Sequence, residues 1–194
     1  MRLIVVGASW GGLHALSRLL ELLPPAEPRN AALVVAQHRS PESTEGALGE
    51  LLEAASSFPV RDAEDKEEIL PGRVYLAPPD YHLLIEPGSF ALSVDERVHH
   101  ARPSIDVLFE TAAEAYGEHT IGVVLTGAIA DAATGLMRIK EHGGRTIVQD
   151  PETAERVAMP EAAIAALQPD AVLPLDSIPP YLVELCRTPE PSRG

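Results

Sequence analysis

The residues with the most evident chemical potential lie near the N-terminus, in Gly7-Ala8-Ser9-Trp10-Gly11-Gly12. They follow the apolar run Leu3-Ile4-Val5-Val6 and precede a helix-patterned stretch. Gly-x-Ser-x-Gly between a strand and a helix is the layout of a nucleophile elbow. Small flanking residues permit a sharp turn, so the serine Oγ projects at the strand's C-terminal end. The helix that follows offers unpaired N–H groups to a developing oxyanion. A glycine loop ahead of a helix can also cradle a phosphate. Against that reading, Ser9 stands where a dinucleotide fingerprint wants glycine, and Gln37-His38 stand where an acid for the ribose is expected; there is no Gly-Lys-Ser/Thr. A glycine turn with no chemistry is the third possibility.

A serine nucleophile needs a base and a group to orient it. His38 follows a second apolar run, Ala32 to Ala36, on the sheet edge where Ser9 emerges. Catalytic groups of open α/β sheets gather at that edge. A third run, Ile121 to Leu125, leads through Thr126-Gly127 into a loop holding Asp131. Ser9, His38 and Asp131 could therefore converge from three strand ends as a triad. Other readings stay open at this point. Asp131 also reads as an N-cap for a helix starting near Ala132, and it could do both. Asp80, Asp106 and Asp150 occupy comparable loops, His82 is a rival base, and His38 could be an idle loop histidine. His99-His100 reads as surface loop, and His14, His119 and His142 as exposed positions. No cluster has metal-ligand spacing.

The elements that must position these residues alternate short β-branched runs with helical patterns, the mark of an α/β fold with a mostly parallel sheet. Leu13, Leu16, Leu19, Leu20 and Leu23 recur at helical spacing before Pro24-Pro25 stops the helix. A second helix is expected over Thr44 to Ala55, with Ser43 as cap. Arg73 to Ala77, His82 to Glu86 and Phe90 to Val94 read as strands of an antiparallel insertion, separated by Pro/Gly turns and led in by a solvated acidic loop, Asp62 to Glu68. The parallel pattern then resumes. Helices are expected at 105–116, 132–142, 160–167 and 178–185, and strands at 121–125, 146–149 and 171–175. Residues 1–187 read as one domain and 188–194 as a frayed tail.

The chain's 194 residues suit one domain. Fifteen Lys and Arg against 29 Asp and Glu give a net charge of −14, which argues against nucleic-acid binding and against docking on anionic membrane. Aromatics at 4% disfavour a base-stacking surface. The single cysteine, Cys186, leaves no intramolecular disulfide to form. With no signal-peptide layout and no long apolar run, a cytoplasmic protein without membrane insertion is expected.

The sequence resembles the catalytic domain of the chemotaxis protein-glutamate methylesterases (CheB-type) over about Leu3 to Cys186. The motifs that carry the resemblance are Gly7-Ala8-Ser9 with Gly11-Gly12, Gln37-His38, Ala63-Glu64-Asp65 with Pro71-Gly72, and Tyr75 to His82. Arg102 to Phe109, Gly122 to Gly127 and Met159-Pro160 complete the set. The resemblance implies a doubly wound, Rossmann-like three-layer α/β/α sheet and a Ser/His/Asp hydrolase. Such an enzyme removes methyl groups from glutamyl methyl esters on chemoreceptor cytoplasmic helices, and can deamidate receptor glutamines. It implies Ser9 as nucleophile, His38 as base and Asp131 as the orienting acid; with those roles, the Trp10 backbone N–H at the helix start is the expected oxyanion donor. It implies no metal or organic cofactor. The expected partner is a methyl-accepting chemoreceptor or a related sensory receptor, met by a monomer.

Three departures accompany the resemblance. Trp10 stands where the family usually has threonine. Ala128-Ile129-Ala130-Asp131-Ala132 replaces Met-Gly-x-Asp-Gly, which would strain β-branched Ile129 if that glycine uses positive φ. The sequence opens two residues before its first strand, so no receiver domain is expected within it. The first two departures keep a rival reading open, a catalytically weakened chemosensory module that binds a receptor or signalling partner. A nucleotide-binding flavodoxin-like domain is a more distant alternative.

Overall fold

The computed structural model describes residues 1–25 and 27–187; the expected tail at 188–194 lies outside the described residues. The first apolar run extends to a seven-residue strand, β1 (Arg2–Ala8), and the second to β2 (Ala31–Gln37), paired in parallel. β1 pairs on its other side with β7 (Thr120–Val124). The seven-stranded sheet runs β3-β4-β2-β1-β7-β8-β9, where β3 is Val60–Asp62, β4 Val74–Leu76, β8 Arg145–Gln149 and β9 Ala171–Leu173. Every pairing in it is parallel. Chain order reverses around β1, which makes the crevice at its C-terminal end the expected place for chemistry.

A parallel sheet must be covered on both faces, and alternation along β1 shows how. Ile4, Val6 and Ala8 point to a layer containing Leu16, Leu19 and Leu20 of α1 (Gly12–Leu22), Leu52 of α2 (Ala47–Glu53) and Leu182 of α6 (Ile178–Arg187). Leu3 and Val5 point to the opposite layer. There they meet Leu108 and Phe109 of α3 (Ile105–Tyr116), Leu136 and Ile139 of α4 (Ala133–Glu141) and Met159 of α5 (Ala158–Ala166). The expected doubly wound α/β architecture is therefore present.

The middle of the chain differs from the sequence reading. Only β5 (His82–Glu86) and β6 (Ser89–Ser93) form the antiparallel hairpin; Val74–Leu76 belongs to the main sheet as β4. Turn signals on either side of a strand do not reveal which neighbour it pairs with. The acidic lead-in is not wholly a solvated loop, because Asp62 ends β3, where it accepts from Arg39 and from the Gly46 N–H. That Gly46, not Ser43, caps α2. The hairpin packs on α3, with the Ile85 N–H donating to Thr111 Oγ1 at 3.0 Å.

Candidate active site

Ser9 follows β1 directly. Its N–H donates to the Thr126 carbonyl at 3.0 Å, while the His38 N–H donates to the Ala8 carbonyl at 3.1 Å. Both residues are thus stitched into the sheet edge one step beyond the strands. The elbow needs its glycines for space. A Cβ on Gly7 would lie 2.4 Å from Ile105 Cγ2, so Gly7 lets the start of α3 close on the strand that carries Ser9. Gly11, at φ +79°, begins α1 in a backbone conformation that other residues rarely adopt. The backbone N–H groups of Trp10 and Gly11 have no acceptor among the described residues, as expected of a helix start.

The structure brings the three predicted side chains together. Ser9 Oγ lies 3.1 Å from His38 Nδ1, and His38 Nε2 lies 2.7 Å from Asp131 Oδ2. The Asp131 side chain is fully buried and that of His38 is 13% exposed. Gln37 fixes the approach from the other side, its Nε2 donating to the carbonyls of Ser9 and His38. Arg39, the next residue, binds Asp62 and the Ala77 carbonyl and so anchors the loop that carries the histidine.

Asp131 does not cap its own helix. Its carboxylate receives the first turn of α3 instead: the Ile105 N–H at 2.7 Å on Oδ2, the Asp106 N–H at 3.0 Å and the Ser104 hydroxyl at 3.2 Å on Oδ1. The start of α4 is served by Asp106, whose Oδ1 accepts from Ala132 and Gly135 at 3.1 and 2.6 Å. Two aspartates therefore cap each other's helices. Burial would raise the Asp131 carboxyl, but hydrogen bonds from His38 and the two amides overcome it and hold the group below the ordinary carboxylate range. Asp106 goes the other way. Burial, reinforced by the nearby Asp131 charge, pushes it up to about 6 despite its bond from Gly135.

An ionised Asp131 can only accept, so His38 must carry its proton on Nε2. Nδ1 is then left with a lone pair facing the Ser9 hydroxyl. The arrangement can run acyl transfer, with Nδ1 as base and the free N–H groups at the elbow beside a developing oxyanion.

The rival residues are otherwise engaged. His82 is buried, with Nδ1 accepting from the Ser104 N–H at 3.2 Å and Nε2 within 3.0 Å of the Glu96 carbonyl. Asp80 pairs with Arg97 and Arg102, and Asp150 caps the turn at Pro151–Thr153. The expected strain at Ile129 is absent; positive φ falls instead on Ala132, at 104°. His99 is not idle surface, as its Nε2 lies 3.4 Å from Asp106 Oδ2. Sequence reasoning missed Ser104 as a partner of Asp131. A serine immediately before an apolar helical pattern was the available signal.

The chain is similar to known proteins over most of its length. The family model described as CheB methylesterase matches residues 4–182. A protein of Leptospira interrogans, named only by inference as a protein-glutamate methylesterase/protein-glutamine glutaminase, is 48% identical over 183 residues, covering 94% of this chain and 93% of that one. The protein-glutamate methylesterase/protein-glutamine glutaminase 5 of Anaeromyxobacter dehalogenans is 40% identical over 190 residues, 96% of this chain and 51% of its own. The crystal structure of the Thermotoga maritima CheB methylesterase catalytic domain superposes with a TM-score of 0.89 at 38% identity, covering 95% of this chain and 98% of that one.

Proposed function

We propose, from the premise that this chain belongs to the CheB methylesterase family, that it hydrolyses glutamyl methyl esters on the cytoplasmic helices of a methyl-accepting receptor. The observation that carries the reading is the continuous hydrogen-bonded line Ser9–His38–Asp131 at the open edge of the sheet. In this reading residues 1–187 are one catalytic unit, working as a monomer in the cytoplasm. Among the described residues no helix is long and apolar enough to cross a membrane.

His38 Nδ1 takes the Ser9 proton as Oγ attacks the ester carbonyl, and the carbonyl oxygen's charge is met by the Trp10 N–H. One such donor is typically worth about 10²–10³ in rate. The same Nδ1–H protonates the departing methoxide to methanol. Water then gives its proton to Nδ1 as it attacks the acyl-enzyme, releasing glutamate and restoring Ser9. Asp131 stays ionised and stabilises the imidazolium through Nε2–H. With a glutamine side chain the leaving group is ammonia, and the product is the same glutamate.

The test is methanol release from a methyl-esterified receptor cytoplasmic fragment. Wild type should release it, and Ser9→Ala should lower the rate by about 10⁴-fold or more. Receptor binding without release by wild type would instead favour the weakened binding module.

A further inference from the structure

Trp10 is 59% exposed, yet it is held on two sides. Its indole Nε1–H donates to Glu155 Oε1 at 3.2 Å, and the guanidinium carbon of Arg156 lies 5.3 Å from the ring centroid. Thr126 joins the two segments: its hydroxyl accepts from the Arg156 N–H at 2.8 Å and donates to the Trp10 carbonyl at 2.9 Å. The Arg156 carbonyl accepts from the Gly127 N–H at 3.1 Å. Trp10, Glu155 and Arg156 thus form one fixed rim immediately beside Ser9.

The charges of this rim are unequally committed. Glu155 spends one oxygen on the indole and lays the rest of its side chain over Gly11, where an added Cβ would stand 2.7 Å from Oε2. That places a carboxylate at the start of α1, which the helix dipole favours. The Arg156 guanidinium is exposed and has no hydrogen-bond or ion-pair partner among the described residues. It is an uncompensated cation in a chain of net charge −14. A guanidinium drawn to an aromatic ring by its charge, with no hydrogen bond to another side chain, keeps its N–H donors available for a carboxylate. A group fixed before binding also loses less freedom on binding.

We propose that Trp10, Glu155 and Arg156 form a preorganised carboxylate-recognition edge beside Ser9, taking an acidic side chain on the same helix face as the ester. The proposal rests on the esterase reading. A cation carried on the residue next to the nucleophile fits an acid one or two turns from the ester, roughly 5–11 Å along the helix.

The test uses two helical peptides, each with one glutamyl methyl ester. One has glutamates at i±4 and i±7 and the other glutamines at the same positions. The Ser9→Ala protein should bind the glutamate peptide about 10-fold more tightly. Arg156→Gln on that background should collapse the ratio to near one, Arg156→Lys should restore part of it, and added salt should shrink it. Equal affinities, no measurable binding of either peptide, or a ratio untouched by Arg156→Gln overturns the edge. Methanol release by wild type separates the two readings. No release with the affinity ratio intact sinks the esterase and leaves the edge. Release with equal kcat/KM for both peptides sinks the edge and leaves the esterase.

Discussion

On one flank of Ser9, Asp131 is fully buried and each of its carboxylate oxygens accepts two hydrogen bonds, three of the four from α3 and its cap. On the other flank, Trp10 is more than half exposed and rests on one side-chain hydrogen bond and one cation over its ring. The first flank is held mainly by the fold. Its donors are two helix amides and a capping serine, so the direction of the imidazole is over-determined. The second is held by side chains on a loop after β8, which can change without disturbing the sheet. The proposed chemistry sits where the fold leaves no choice, and the proposed recognition edge where it leaves several.

This contrast can be broken most forcefully at Asp131. Asp131→Asn turns one acceptor into a donor facing either a helix N–H or His38 Nε2. Activity on the methylated fragment should fall by about 10⁴-fold, and urea unfolding should show a loss of roughly 2–4 kcal/mol. A stable protein with near-normal turnover would mean that the buried flank does not govern the histidine. The Arg156 variants stand at the opposite pole, moving substrate preference rather than fold.

Asp106 sharpens the comparison through pH. Its folded carboxyl is raised to about 6 from the ordinary 3.8, so its contribution to stability is fully present below the unfolded pKa and lost as pH rises through the folded one. Asp106→Asn cannot titrate. Going from about pH 5 to about pH 8, the variant should therefore gain about 1 kcal/mol on wild type, read from paired urea titrations. A gap that stays constant would show that the Asp106 pKa is not raised.

The smallest effect is expected at Ala132, whose φ of 104° suits glycine. Ala132→Gly should stabilise by about 0.5 kcal/mol, the relief of strain being partly offset by the loss of a buried methyl. Differential scanning calorimetry would show it as a slightly higher Tm, and a lower one would show that the methyl's packing outweighs the strain.

The sequence made Ser9 and His38 legible because both follow apolar runs at the same sheet edge, a purely local pattern. Asp131 was harder. Asp80, Asp106 and Asp150 looked equivalent, and what separates them is which helix each one reaches, a matter of tertiary placement. Local rules paired Asp131 with the helix just after it, whereas α3 and α4 exchange their caps. β3 was missed because three residues carry too little alternation, and β4 was misassigned because pairing is non-local. The positive φ at Ala132 rather than Ile129 depends on how the loop closes over Asp106, which no spacing rule contains.

The exchange of caps ties the candidate active site to a cooperative unit of the fold. The amide protons of Ile105, Asp106, Ala132 and Gly135 are shielded by the same two carboxylates. They should reach solvent together, in one sub-global opening that parts α3 from α4. Any such opening also releases Asp131 from its donors, so the lifetime of the aligned histidine is bounded by the lifetime of that helix pair.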